Sequence, residues 1–167
     1  MRLSISEILE KTTKLKTKNE KIEYLHQNDT EALRTVLQFA LHPGVKSALP
    51  EGTPPYKPCQ QLDQEGRLYA EYRRLYLFCV GGHDGLKPLK RETLFIGLLE
   101  SIDPKDAELL CAAKDKKLPY EGFTVSLLNE AFPGILPEEI IEPEPVVKPI
   151  KPIKATKVKA TKGTTEK

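Results

Sequence analysis

Residues 4–28 read SISEILEKTTKLKTKNEKIEYLHQN, and the fold class follows from two spacings within them. Ser4 stands three residues before Glu7, and Thr17 stands three before Glu20. At that spacing the hydroxyl accepts a free first-turn amide while the glutamate reaches back to the cap residue's own N–H, so each pair marks a helix start. Ile5, Ile8, Leu9 and Leu15 keep helical spacing after the first cap, and Ile22 and Leu25 face inward after the second.

The same logic extends along the chain. A third helix starts near Asp29 or Thr30, carries Leu33, Val36, Leu37 and Ala40 on one side, and stops at His42-Pro43-Gly44. Pro50, Pro54, Pro55 and Pro58 forbid regular structure and predict a loop. A long helix is expected from about Leu62 to Val80, with Leu68, Tyr72, Leu75 and Cys79 as its buried stripe and Gly81-Gly82 as its end. PLKRETLFIGLLESI, residues 88–102, predicts another with Leu94, Phe95, Leu98, Leu99 and Ile102 inward. Gly97 inside it costs about 1 kcal/mol relative to alanine, which predicts a close helix crossing there. Asp103 and Pro104 open a helix that runs to about Asp115, Thr124 opens the last, and Pro133 stops it. No stretch alternates with the period of a strand between hairpin turns. The expectation is all-α: a single compact multi-helix domain of six to seven helices over residues 1–141. A disordered Lys/Pro-rich tail over residues 142–167 completes it.

Charge narrows the function classes. The chain carries a net +2, but the tail has seven lysines against three glutamates, +4, which leaves −2 for the body. Nucleic-acid binding by the body therefore has to rest on local clusters. No apolar run is long enough to span a bilayer, and MRLSISEILEKTTK lacks the apolar core and cleavage site of a signal peptide, so no membrane partner and a cytoplasmic location (host cytoplasm, if phage-encoded) are expected. Cys59, Cys79 and Cys111 are far apart, and His26, His42 and His83 are equally scattered, which predicts reduced thiols and no metal site. Cys79 and Cys111 are expected on apolar helix faces. Phosphate-loop, HExxH and GxSxG patterns are absent. GGHDGLK around His83, Asp84 and Gly85 reads as a turn rather than a catalytic cluster. A non-enzymatic protein without a cofactor is expected.

Four basic clusters remain. Lys11, Lys14, Lys16, Lys18 and Lys21 bridge the first two helices and read as a solvated connection. Arg67, Arg73 and Arg74 share a helix with Glu65 and Glu71, where Arg67 is spaced to pair with Glu71. Lys87, Lys90 and Arg91 crowd a helix start, where the dipole disfavours cations and an anionic partner would relieve them. Lys114, Lys116 and Lys117 close a helix, where the dipole favours cations by about 0.3–1 kcal/mol, enough by itself to account for them. They also lie just before Gly122-Phe123-Thr124, which opens the last helix with free amides; with the hydroxyls of Thr124 and Ser126 this makes a candidate phosphate seat. The same residues satisfy a fold requirement. The candidate DNA-binding set is Lys87, Lys90, Arg91, Lys114, Lys116, Lys117, Thr124 and Ser126, joined by Lys148, Lys151, Lys154 and Lys157 of the tail.

LPYEGFTVSLLNEAFPGILPEE, residues 118–139, resembles the end of the helical N-terminal DNA-binding domain of bacteriophage-type ATP-dependent DNA ligases. Leu118, Gly122, Thr124, the apolar run Val125 to Ala131, and the exit Phe132 to Pro137 stand in that domain's order. ISEILEKTTKLKTKNEKIEYLHQN is similar to its opening helix pair, LRTVLQFALHPGV to its third helix, and LYLFCVGGHDGLKPLKRETLFIGLLESID occupies the place of its central pair. The likeness covers roughly Leu3 to Pro137, strong at the end and loose elsewhere, and extends to stand-alone proteins encoded by tailed phages. The catalytic Lys-x-Asp-Gly of such ligases has no counterpart: the one Asp-Gly, Asp84-Gly85, has Gly82 in the lysine's place, and a Lys/Pro-rich segment follows the helical region. The resemblance thus implies the helical fold and contact with the minor groove or backbone of duplex DNA through the last helix and preceding loop. It does not imply adenylylation or nick sealing. The expected function is non-catalytic, sequence-independent binding of duplex DNA, nicked or intact, as a DNA-transaction accessory factor. The alternative is a protein–protein interaction module on a ligase-like helical fold that no longer binds DNA. It would dock a phage or host protein through the Pro-rich loop or Pro149 and Pro152, and the body's −2 favours it.

Overall fold

Both expected helix starts form as their spacing predicts. In the computed structural model, which describes residues 3–61 and 64–137, Ser4 Oγ accepts the Glu7 N–H at 3.2 Å and Glu7 accepts the Ser4 N–H at 3.4 Å. They open α1, Ile5–Lys14. Thr17 and Glu20 repeat the exchange at 3.3 and 3.2 Å and open α2, Lys18–Gln27. Thr30 caps α3, Glu31–Leu41, through the Leu33 N–H. Then follow the short α4, Leu68–Glu71, a 3-10 segment Tyr72–Phe78, α5, Pro88–Ser101, α6, Pro104–Lys114, and α7, Val125–Ala131. Among the described residues the fold is all-α; the one extended pairing is an isolated antiparallel bridge between Ser47 and Cys79.

α6 is the centre. Asp103 caps it through the N–H groups of Lys105 and Asp106, and Pro104 sits where an N–H would find no partner anyway. It packs on α1, α3 and α5, and Ala107, Leu109, Leu110, Cys111 and Ala113 are all buried, which leaves only a narrow outer face carrying Lys105 and Glu108. Asp106 is fully buried within it, and its Oδ1 accepts the Ser6 N–H at 2.8 Å. The carboxylate thereby satisfies a first-turn amide of α1 from another helix. α2 packs on α7. The exit after α7 turns at Gly134, in the left-handed region at φ +81°, and buries Phe132, Ile135 and Leu136, as the proline-punctuated stretch predicts.

Three expectations are corrected. The helix expected over about Leu62 to Val80, whose residues 62 and 63 lie outside the described residues, is not regular: four α-helical residues from Leu68 tighten into 3-10 geometry, which ends at Phe78. With three residues per turn, Leu75 and Phe78 share a face, so Phe78 takes the inward place expected of Cys79 and Tyr72 is only half-buried. Cys79 lies just beyond, in the bridge to Ser47. Arg67 precedes α4, and it is Arg74 that pairs with Glu71, at 2.8 Å. Gly97 marks no close crossing: a Cβ there would meet nothing within 4 Å. The close approach is at Gly82, where a Cβ would stand 1.9 Å from the Tyr76 carbonyl oxygen, and neighbouring Gly81 has φ +81°.

Candidate nucleic-acid interface

The run Lys114-Asp115-Lys116-Lys117 ends α6 in a Schellman turn. The Lys116 N–H bonds Ala113 O at 3.1 Å, the Lys117 N–H bonds Ala112 O at 2.9 Å, and Lys116 holds the left-handed φ of 58° that usually falls to glycine. That backbone aims its side chain at the end of α3. Lys116 Nζ donates to Phe39 O at 2.6 Å and His42 O at 3.1 Å. Phe39 O would take its helical bond from residue 43, which is Pro43 and has no N–H, so the ammonium replaces a missing donor. Burial pulls the Lys116 amine below its ordinary pKa.

Lys114 is deeper still, with its side chain 1% exposed. Its Nζ donates to Pro50 O at 2.8 Å and to the Asp115 carboxylate. Asp115 also accepts the Gly52 N–H at 3.1 Å. Burial pushes the Asp115 carboxyl up, but the hydrogen bonds from Lys114 and Gly52 outweigh it and hold the group below the usual range. The two residues fasten the Pro-rich loop to α6, and the Lys57 N–H adds a bond to Glu100 at 3.1 Å. Of the three lysines before α7, only Lys117 is exposed with no side-chain bond among the described residues.

Arg91 is likewise turned inward. Only 8% exposed, it donates Nε to Leu77 O and Nη2 to His83 O, each at 2.9 Å, and so closes the Gly81–Gly85 turn onto α5. The charge that the sequence places at the start of α5 is satisfied by two carbonyls. Lys87 and Lys90 are exposed there, and no ion pair joins them to other described residues.

At α7 the cations are different ones. Thr124 Oγ1 accepts the Leu127 N–H at 3.2 Å as the helix cap. Ser126 is exposed and lies 3.4 Å from both Lys18 Nζ and Glu130 Oε1. Lys18 pairs with Glu130 at 2.5 Å. Lys21 Nζ stands 2.8 Å from where a Cβ of Gly122 would be, and Gly122 has φ +84°. The α2–α7 contact thus brings the lysine-rich α1–α2 connection to the last helix, a juxtaposition between residues more than 100 positions apart. Spacing along the chain carries no signal for it. Lys11, Lys16 and Lys21 make no ion pair among the described residues, while Lys14 pairs with Glu10. Lys148, Lys151, Lys154 and Lys157 lie outside the described residues.

Nucleophilic chemistry finds little support. The three cysteines are unpaired, and burial pushes the Cys111 thiol up to about 11 and raises Cys79 as well, away from the reactive thiolate. No group of three or more metal-ligating side chains occurs among the described residues. Burial pushes the Asp106 carboxyl up to about 6 against the pull of the Ser6 amide, but its neighbours are the start of α1 and Asp103, and its Oδ2 has no hydrogen-bond partner among the described residues. No helix of the described chain is long and apolar enough to cross a membrane.

A protein-family model described as a family of unknown function (DUF6433) matches residues 8–120, well over half of the chain. The chain belongs to that family. No curated protein matches it.

Proposed function

We propose that this protein binds duplex DNA without sequence preference and without catalysis, as an accessory factor of DNA transactions. The contact surface is the α1–α2 edge beside α7, rather than the Lys114–Lys117 run. The observation that carries the reading is the segment Lys11–Lys21: five lysines against one glutamate, with Lys18 against Ser126 and Glu130 of α7 and Lys21 beside Gly122 just ahead of it. Its one glutamate, Glu20, is engaged in capping α2. Lys11, Lys16 and Lys21 have their charges free for phosphates, and contact of that kind is indifferent to base sequence. The ligase-like order of residues 118–137 supports the same end of the molecule, and the tail lysines add charge in sequence.

The test is duplex binding by fluorescence anisotropy over a range of salt, on the full chain and on Lys11→Gln/Lys16→Gln/Lys21→Gln. If each lysine neutralises one phosphate, the slope of log K against log salt falls by about 2.7 in magnitude. Lys87→Gln/Lys90→Gln serves as the control and leaves the slope unchanged. An unaltered slope in the triple variant removes this edge from the mechanism. The second reading, a docking module that does not bind DNA, is favoured by the body's −2 charge. Failure of the intact chain to bind duplex at low salt would establish it over the first.

A further inference from the structure

A cleft of about 560 Å³ lies between the end of α3 and the KDKK turn, walled by Leu41, Pro43, Val45, Ser47, Leu49 and Lys116. Along one wall runs an extended segment with a free edge. The Ala48 N–H bonds Phe78 O and the Val80 N–H bonds Lys46 O, each at 2.8 Å, which makes Ser47–Cys79 a non-hydrogen-bonded antiparallel pair. In such a pair the N–H and C=O of each residue point away from the facing segment. Those of Ser47 therefore face outward, and neither has a partner among the described residues. The edge is also held in place. Lys116 Nζ ties the end of α3 ahead of it, Lys114 Nζ ties Pro50 behind it, and Arg91 binds Leu77 O and His83 O on either side of Phe78–Val80. A free edge fixed beside an apolar wall accepts an extended peptide with little ordering left to do on its own side.

Charge decides the class of peptide. Lys114 and Asp115 pair with each other. Lys116 gives its hydrogen bonds to carbonyls, and Lys46 is exposed; neither makes an ion pair among the described residues. Against these two cations the cleft sets one further acid, Glu51. It is therefore locally positive on a body whose net charge is −2. Register adds the pattern. In an antiparallel partner a single residue opposite Ser47 exchanges both free bonds with it. The residues next to that one fall on the face of Lys46, and those two away fall on the face of Val45. Acidic side chains suit the first positions and apolar ones the second.

We propose that the Ser47 edge binds an extended segment of a partner protein in which acidic and apolar residues alternate, added antiparallel along this cleft. The inference stands whether or not the α1–α2 edge binds DNA. Its test is an NMR titration of the full chain with a blocked five-residue peptide alternating valine and glutamate. The Ser47 amide shifts saturably, and at a peptide concentration about ten times Kd its exchange slows about tenfold. Methylating the central valine nitrogen of the peptide abolishes the effect, because the donor to Ser47 O is gone. A valine–lysine peptide binds more weakly than the valine–glutamate one, and Lys46→Glu reverses that order. No Ser47 shift at millimolar valine–glutamate peptide overturns the proposal, and equal binding of the two peptides overturns the stated partner chemistry. Slow Ser47 exchange without peptide also overturns it, assigning the edge to a second copy if the protection falls on dilution and to the chain itself if it does not. A Ser47 shift with duplex DNA but with neither peptide assigns the cleft to phosphates instead.

Discussion

Lys114→Met separates a structural lysine from a DNA-binding one. The side chain is 1% exposed and bonds both the Pro50 carbonyl and the Asp115 carboxylate, whose own side chain is 19% exposed. Removing one member of a buried pair costs about 3–5 kcal/mol, because the other charge is left without its partner. Asp115 retains some water and the Gly52 N–H, which places the cost at the low end, about 3 kcal/mol. For a domain of this size that lowers the melting temperature by roughly 10 °C. Thermal denaturation followed by circular dichroism measures it, with duplex affinity taken well below the transition. Adding Asp115→Asn to Lys114→Met recovers part of the loss, since the stranded charge is then gone. A Lys114→Met protein that melts like the wild type but no longer binds duplex would refute the buried tie and restore Lys114 to the interface.

Two further substitutions probe the body. Gly97→Ala stabilises by about 0.5–1 kcal/mol in urea denaturation, because Gly97 is exposed in the middle of α5 and a Cβ there meets open space. A loss of stability would show that the glycine serves a packing role. Asp106 gives the body a pH signature. Its folded pKa of about 6 is raised from 3.8, so the stability it contributes is full below pH 3.8 and is lost as pH rises through 6. The loss amounts to about 3 kcal/mol at 1.36 kcal/mol per pKa unit. Asp106→Asn abolishes this dependence, so its stability relative to the wild type rises by that amount between pH 4 and pH 7. Parallel urea curves at both pH values would contradict it.

The helices were legible because their signals are local. A capping pair at three-residue spacing, an apolar stripe, or a proline that cannot donate acts within one turn, and Ser4, Thr17, Thr30, Asp103, Thr124 and Pro133 all do what their neighbours allow. The 3-10 segment was not legible, since Leu68, Tyr72, Leu75 and Cys79 fit an α-helical stripe and only the seating of Phe78 against Phe95, with ring centroids 5.1 Å apart, shows the tighter winding. Gly97 misled for a related reason: a glycine within a helix shows its cost in sequence, but the space around it is set by other elements.

The candidate site was legible as charge and not as geometry. The chain order alone determines that lysines cluster at residues 11–21, 87–91 and 114–117, and that a capped helix follows the last cluster. Tertiary packing decided what each cation does. Lys114, Lys116 and Arg91 meet backbone carbonyls of Pro50, Phe39, His42, Leu77 and His83, of which His42 and His83 also accept the Val45 and Leu86 N–H groups, while Lys18 and Lys21 arrive at α7 because α2 packs there. A cation's charge belongs to its residue type, but whether that charge is tied to the protein's own backbone or offered to solvent depends on which carbonyls the fold brings beside it.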